Sequence, residues 1–346
     1  MSKRLVVKRN AAVEDVVPAG IDVSAATLAV AVERRDGVGY DEREFANTAA
    51  GHRQLIPWLL SHGSRVRVSL EATGIYSLDV ALALDLAAGI EVAVLNPRLV
   101  HQFAQTLGRS KTDAADALAL AEYSRRMLFA AWRRPTRAAL ELRALSRHLA
   151  ALTEDYARLR NRSHAANGSA TTPRCVREDL KRSLNALSKR ILRLRREAVA
   201  LCRQDAELAH KFKQLVGIPG IGETSAVQLL AELAGLDPEM TVRQWVALSG
   251  LDPAHQMSGT SVHRRSRISR RGNRHLRRAH FMPALVGVRA NPYLKAFYLA
   301  LQARHKTKMQ ALIAVARKLL HAIYGIFKTN QPFEGAKLFP ATHTHF

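Results

Sequence analysis

The first hundred residues carry two kinds of apolar periodicity. Residues 19–23 and 27–33 are short apolar runs, Arg35, Asp36 and Gly37 supply a turn, and residues 44–47 follow, a pattern that predicts three antiparallel strands. Residues 51–60 take helical spacing, 66–70 an apolar strand, 75–88 a helix and 91–95 another strand. That order predicts a mixed sheet flanked by helices. Pro97 opens a further helical stretch, which the basic segment GRSKT at 108–112 interrupts.

Residues 140–201 change character. Leu145, Leu149, Leu152, Tyr156 and Leu159 alternate steps of four and three, and so do Leu180, Leu184, Leu187, Ile191, Leu194, Ala198 and Leu201. Each series is a heptad seam, and the polar segment NRSHAANGSATTP at 161–173 reads as the loop between two arms. The result is a helical hairpin or coiled coil. Its narrow stripe is satisfied either by the arms pairing with each other or by a second subunit; the pattern leaves both open, and a dimer or tetramer built on the hairpin is the expectation. Past residue 211 a second globular region is mostly helical, with amphipathic helices at 294–304 and 309–327, and residues 331–346 read as an extended tail.

A chain of 346 residues with 47% hydrophobic content allows two or three domains with proper cores. Its charge is more telling. Lysine and arginine number 53 against 29 acidic residues, a net charge of +24 that repels itself in a compact monomer. A polyanion is the natural partner, and arginine suits bidentate phosphate contacts, so nucleic acid leads the partner classes. The plain alternative, a basic ribosome-associated or merely soluble protein, lacks the support of acidic tracts or disordered basic tails. Cys175 and Cys202 show no paired spacing with histidines, which argues against a disulfide framework and against a zinc finger. No stretch reaches the ~18 consecutive apolar residues of a bilayer span, and the expected setting is cytoplasmic, associated with the nucleoid.

Four acids stand where chemistry is plausible. Asp22 lies near the end of the first strand and Glu71 ends a later one, and strands about 4.8 Å apart bring such carboxylates together. Asp113 and Asp116 follow at i, i+3 on one helix face, behind Thr112 as N-cap. Together they offer hard oxygen ligands for two magnesium ions. Singly, each has a duller explanation in a turn, an ion pair or a helix N-terminus.

Further on, LVGIPGIGETSAVQLLAEL at 215–233 reads as a helix-hairpin-helix, in which Gly217, Gly220 and Gly222 let the backbone approach a phosphate at a helix N-terminus. An ordinary turn between packed helices is the alternative. Arg264, Arg265, Arg267, Arg270, Arg271, Arg274, Arg277 and Arg278 then crowd a short segment, a density that calls for anions. Ser258 precedes that run in HQMSGT, with Ser261, Ser266 and Ser269 close by.

Taken together, the four acids in this order, Asn96 and Pro97, the KTDAADA of 111–117 and the serine-arginine segment resemble the insertion-sequence 110 family of transposases and the related Piv-type DNA invertases. The resemblance runs from residue 19 to about residue 327. It implies an N-terminal RuvC-like, ribonuclease H fold domain with a DEDD motif at 19–135, following a basic extension at 1–18. A coiled-coil helical hairpin at 136–210 and a mostly helical C-terminal transposase domain at 211–330 complete an α/β plus α architecture, with a tail at 331–346. The same resemblance implies that Ser258 attacks the DNA phosphate, with Lys111 and the arginines on nucleic acid. A noncoding RNA of the element would then pair with the element ends and the target DNA. The acids and the serine would have to meet, within a chain or between subunits. Two rivals use fewer of these parts: a metal-dependent nuclease or Holliday-junction resolvase needs the acids and water, and a noncatalytic scaffold needs only the basic segments.

Overall fold

Five strands form the sheet that the alternation predicts. In this computed structural model, which describes residues 16–72, 74–107, 112–258 and 262–338 and gives no side-chain account of 255–266, β1 (Val16–Val23) lies at the centre. It pairs antiparallel with β2 (Thr27–Glu33), which pairs antiparallel with β3 (Tyr40–Ala46). On its other side β1 runs parallel to β4 (Arg65–Glu71), and β4 parallel to β5 (Ile90–Leu95), for a sheet order β3-β2-β1-β4-β5. β1 begins three residues earlier than its apolar run suggests, and β3 starts at Tyr40 because Asp41, Glu42 and Arg43 pair with β2 through backbone alone.

The two faces of this sheet are packed differently. Val and Leu from β1, β2 and β4 meet α1 (Ala49–Leu60) and α2 (Tyr76–Asp85), whose Leu55, Leu59, Val80 and Leu84 are buried against them. The opposite face is floored by small residues, Gly20, Ala29 and Ala31, and receives α4 (Asp113–Arg126) through Ala117 and Ala121. A Cβ on Gly20 would stand 2.2 Å from the Ala117 carbonyl oxygen and the Ala121 nitrogen, so α4 rests directly on the backbone of β1. The far end of α4 is tied as well: Tyr40 donates to Glu122 at 2.7 Å, Arg125 and Arg126 pair with the same carboxylate, and Ser124 donates to the Arg67 carbonyl at 3.0 Å.

The chain divides into two units, Met1–Arg134 and Pro135–Phe346. In the second, α5 (Arg137–Gly168) and α6 (Arg174–Gln204) form the expected hairpin, with the arms paired to each other. Most of the segment expected to be a loop is helix: α5 runs on through Ala165 and Ala166 to Gly168, leaving only a short turn before Pro173 opens α6. The long α5 propagates through these polar residues, since extending a helix is cheaper than starting one. Leu142, Leu149, Leu152, Ile191, Ala198 and Cys202 of the arms share one core with α7 (Ala206–Val216), α8 (Glu223–Leu233) and α13 (Lys308–Thr329). α13 is long and apolar enough to cross a membrane, but its Leu312, Val315, Leu319 and Ile323 are buried in that core, as in a core helix.

Between these helices the chain makes α9 (Val242–Ser249), a two-stranded hairpin of β6 (Pro253–Ser258) and β7 (Val262–Ile268), then α10 (Arg274–Ala279), α11 (Phe281–Ala290) and α12 (Pro292–Ala303). The start of the expected tail is not extended: Phe333 and Leu338 pack on the core, and a 3-10 turn at Gly335–Lys337 lies against Tyr293. Residues 339–346 lie outside the described residues.

The contact at Gly20 generates a direct test. Gly20→Ala forces α4 away from β1 and is expected to lower stability by about 1–3 kcal/mol, the usual cost of overpacking. Gly168→Ala, whose methyl meets open space, should shift the urea midpoint little. Equal midpoints for the two variants would show that α4 moves freely over the sheet.

Candidate active site

The carboxylates converge because β1 and β4 are parallel neighbours. Ile21 pairs with Leu70, so Asp22 and Glu71 leave adjacent strands at the same level and the same end. Thr112 accepts the Ala115 N–H at 3.2 Å and starts α4 with Asp113 and Asp116 in its first turn. The seating of α4 on Gly20 then brings that turn over the strand ends.

Asp22 and Glu71 feel the other acids of the set. Burial pushes the Asp22 carboxyl above its ordinary range, and Asp116 and Asp113 push it further, against a bond from the Val23 N–H. Glu71 is raised by burial, then by Asp22 and Asp116, with His101 of α3 (Pro97–Leu107) acting the other way. Among the described residues no lysine or arginine forms an ion pair with any of the four. A divalent cation would relieve this repulsion, and oxygen-only donors suit magnesium. The acids do not yet form a finished cage: among the described residues no three His, Cys, Asp or Glu side chains stand close enough to grip a metal ion directly. Side-chain rotation would have to close them to ligand distance. His101 and Gly20 escaped the sequence reading, since neither belongs to an acid pattern; Gly20 was visible only as a glycine inside a strand. Asn96, by contrast, does a nameable job, accepting the Arg98 N–H at 3.0 Å to start α3.

The second unit holds the serine and the arginines. Ser258 is the last residue of β6, opposite Val262, in a strand that its polar sequence did not predict. β7 carries Arg264, Arg265 and Arg267; Arg270 and Arg271 follow in the turn; Arg274, Arg277 and Arg278 lie on α10. Of those with described side chains, Arg267, Arg270, Arg271 and Arg274 are exposed and pair with no acid. Two are committed to the fold instead: Arg277 donates to the Ser249 carbonyl at 3.1 Å, and Arg278 pairs with Glu154. Lys111 and Ser261 lie outside the described residues.

The glycine turn divides in the same way. Gly220, at φ +103, packs on α11, where a Cβ would stand 2.7 Å from the Gly287 Cα, and Gly217 adopts ordinary helical backbone. Close packing against α11 by itself requires a glycine at 220. Gly222 opens α8 with no side-chain cap, facing open space. The first amides of α8 are thus left to an outside acceptor or to water.

Comparison with known proteins finds two family matches, the first of which runs past Arg134 into α5. The DEDD transposase profile of the IS110 family matches residues 19–166, and a second, described as transposase of the IS116/IS110/IS902 family, matches residues 213–299. The pilin gene-inverting protein of Moraxella bovis is 30% identical over 295 residues, which is 84% of this chain and 89% of that protein. Its counterpart from Moraxella lacunata is 29% identical with the same coverage. A 43.6 kDa protein of insertion element IS110 from Streptomyces coelicolor is 32% identical over 120 residues, 35% of this chain and 29% of that protein. A DEDD family requires a divalent metal in general, in keeping with the donor set at Asp22, Glu71, Asp113 and Asp116. With both profiles and a relative matched over most of its length in agreement, the chain belongs to the IS110 family of transposases, enzymes of DNA recombination related to the pilin gene-inverting proteins.

Proposed function

We propose that this transposase excises and inserts its element by serine-phosphate exchange, with Asp22, Glu71, Asp113 and Asp116 as ligands of two magnesium ions. The observation that supports the metal site is the mutual repulsion of those acids, which pair with no lysine or arginine among the described residues. Bound magnesium would polarise a phosphate oxygen and neutralise charge that develops on the reacting phosphate. The residues do the rest. The Ser258 hydroxyl attacks phosphorus, loses its proton, and releases a deoxyribose hydroxyl; an incoming strand's hydroxyl later attacks the serine ester, restoring the phosphodiester and the free serine. This exchange keeps the bond energy, as recombination without external energy requires. The names of the Moraxella relatives record gene inversion, which also breaks and rejoins strands. Arg267, Arg270, Arg271 and Arg274 supply phosphate contacts, as do the α8 amides at Gly222. An element-encoded noncoding RNA as guide belongs to this reading through the family resemblance, and the arginines serve its phosphates as readily as those of DNA. The enzyme acts in the cytoplasm at the nucleoid, as a dimer or tetramer built on the α5–α6 hairpin, where Leu192 remains half exposed.

Removing one acid from the field has opposite effects on stability and activity. Asp22 and Glu71 have folded-state values above their unfolded ones, so their penalty is absent below the unfolded carboxylate range and grows as pH rises through the folded values. Asp22→Asn is therefore expected to melt higher than the wild type at neutral pH without divalent ions, with the gap narrowing on acidification, while recombination is abolished. Magnesium should raise the wild-type melting temperature more than that of Asp22→Asn. Equal shifts by magnesium in both proteins would remove Asp22 from the metal site.

The nucleophile separates recombinase from nuclease. With labelled DNA the wild type should give a denaturant-resistant adduct mapping to the Ser258 peptide, and Ser258→Ala should give none while still binding DNA. An adduct at Ser261 or Ser266 would move the assignment. Efficient cutting by Ser258→Ala, with free ends and no adduct, would favour the metal-dependent nuclease.

A further inference from the structure

Glu232 is the one buried acid among the described residues of the second unit, 5% exposed on α8. Arg147 of α5 holds it with two parallel bonds, Nε to Oε1 and Nη2 to Oε2, each 2.9 Å. Oε2 accepts a third bond from Asn273 Nδ2 at 2.6 Å. The other side-chain atom of Asn273, Oδ1, caps α10 by accepting from the N–H groups of His275 and Leu276 at 2.9 and 3.1 Å. One asparagine thus joins a helix N-terminus to a buried carboxylate.

The same residue closes the root of the β6–β7 hairpin. Asn273 N–H donates to the Leu248 carbonyl at 2.6 Å, Arg270 N–H to Gly250 at 3.2 Å, and Ser269 N–H to Asp252 at 2.8 Å. Ser269 Oγ adds a bond to Asp252 Oδ1 at 2.5 Å. Gly250 and Gly272 cross so closely that a Cβ on either would lie 2.2 or 2.3 Å from the opposing backbone. Both strands therefore leave from a single clamp, and Glu232 anchors that clamp to α8 and α5.

We propose that Glu232 is a positioning residue for recombination: through Asn273 it sets the direction in which the hairpin projects, and so where Ser258 stands. The proposal rests on Ser258 as nucleophile. Five residue steps separate Pro253 from Ser258, roughly 16 Å of strand. A tilt of about 5° at the root moves the tip by roughly 1.5 Å, and a misplacement of about 1 Å costs on the order of 100-fold in rate. A carboxylate held by three bonds resists such a tilt better than apolar packing, because its geometry is directional.

Asn273→Asp tests the link in the full-length protein. Aspartate caps a helix as well as asparagine, but here it turns a carboxylate toward Glu232 in place of a donor. Single-turnover strand cleavage should slow by about 10- to 100-fold with DNA affinity within about twofold, a loss in the chemical step alone. Adding Glu232→Gln to Asn273→Asp removes the repulsion between the two carboxylates and lets the new amide donate to the new carboxylate at the cost of one Arg147 bond, and should make cleavage at least about threefold faster than in Asn273→Asp alone. If Asn273→Asp does not stay folded at the assay temperature, Asn273→Ser replaces it, since serine keeps the cap but falls short of Glu232. Cleavage at the wild-type rate, a paired variant no faster than the single one, or a loss matched by weaker DNA binding would overturn the proposal. Ser258→Ala run alongside separates the two ideas: its full activity would overturn the serine reading, whereas an inactive Ser258→Ala beside a wild-type Asn273→Asp would overturn the latch alone.

Discussion

At Gly20 the backbone of a helix lies on the backbone of a strand, and the acid site depends on that contact. Any side chain on Gly20 would overlap the Ala117 carbonyl, so the helix would stand off from the sheet. Asp113 and Asp116 would move away with it, since they occupy the first turn of the same helix. The floor of Gly20, Ala29 and Ala31 and the facing Ala117 and Ala121 thus convert an absence of side-chain volume into a placement of charge. Glu122 acts at the other end: oriented by Arg125 and Arg126 of its own helix, it accepts from Tyr40 of β3, and with the Ser124 bond to β4 this keeps the helix from pivoting about the close contact.

Two kinds of carboxylate coexist in this chain, and their surroundings push them in opposite directions. At Glu232 burial works against the charge, but Arg147 and Asn273 outweigh it and hold the group below the usual range. At Asp22 and Glu71 burial works in the same direction as the neighbouring acids, and among the described residues no lysine or arginine pairs with them, His101 alone opposing the shift at Glu71. The first arrangement is complete in itself and spends its charge on fixing position. The second is incomplete, in a chain of net charge +24 that has cations to spare. Unpaired acids within so basic a chain are the kind of local conflict expected at a functional site rather than in a scaffold.

The sheet of the first unit is readable because its strands are short apolar runs bounded by turn residues, and the positions of the four acids because they fall at strand ends and a capped helix start. What escaped reading has physical causes. Polar and arginine-rich residues 253–268 give no apolar period, and backbone bonds at Asp252 and Gly250 hold the hairpin instead. Residues 161–168 look like a loop by composition, yet the long α5 propagates through them because extending a helix is cheaper than starting one. The glycine pattern at 217–222 suggests a turn but not its packing: Gly220 meets Gly287, a residue 67 positions away that no local pattern announces. The heptads showed that each arm needs a partner without showing which; in the structure each arm meets the other, and Leu145, Tyr156, Leu187 and Leu194 are only partly covered.

The arginine segment likewise performs two jobs that composition merges into one. Arg277 is spent on the Ser249 carbonyl and Arg278 on Glu154, so both hold α10 against its surroundings. Arg270 is different. Its φ of 53° lies in the left-handed region, where a glycine or asparagine would rest more easily and other residues pay about 1–2 kcal/mol. Its N–H is used at the hairpin root, bonded to Gly250, but its side chain is exposed and pairs with no acid. Backbone strain at a position whose guanidinium has no structural task argues that the side chain is there for an anion outside the fold. With Arg267, Arg271 and Arg274 also exposed and joined to no acid among the described residues, the root of the serine hairpin carries these cations on the solvent side, where a phosphate backbone can reach them without disturbing the clamp beneath.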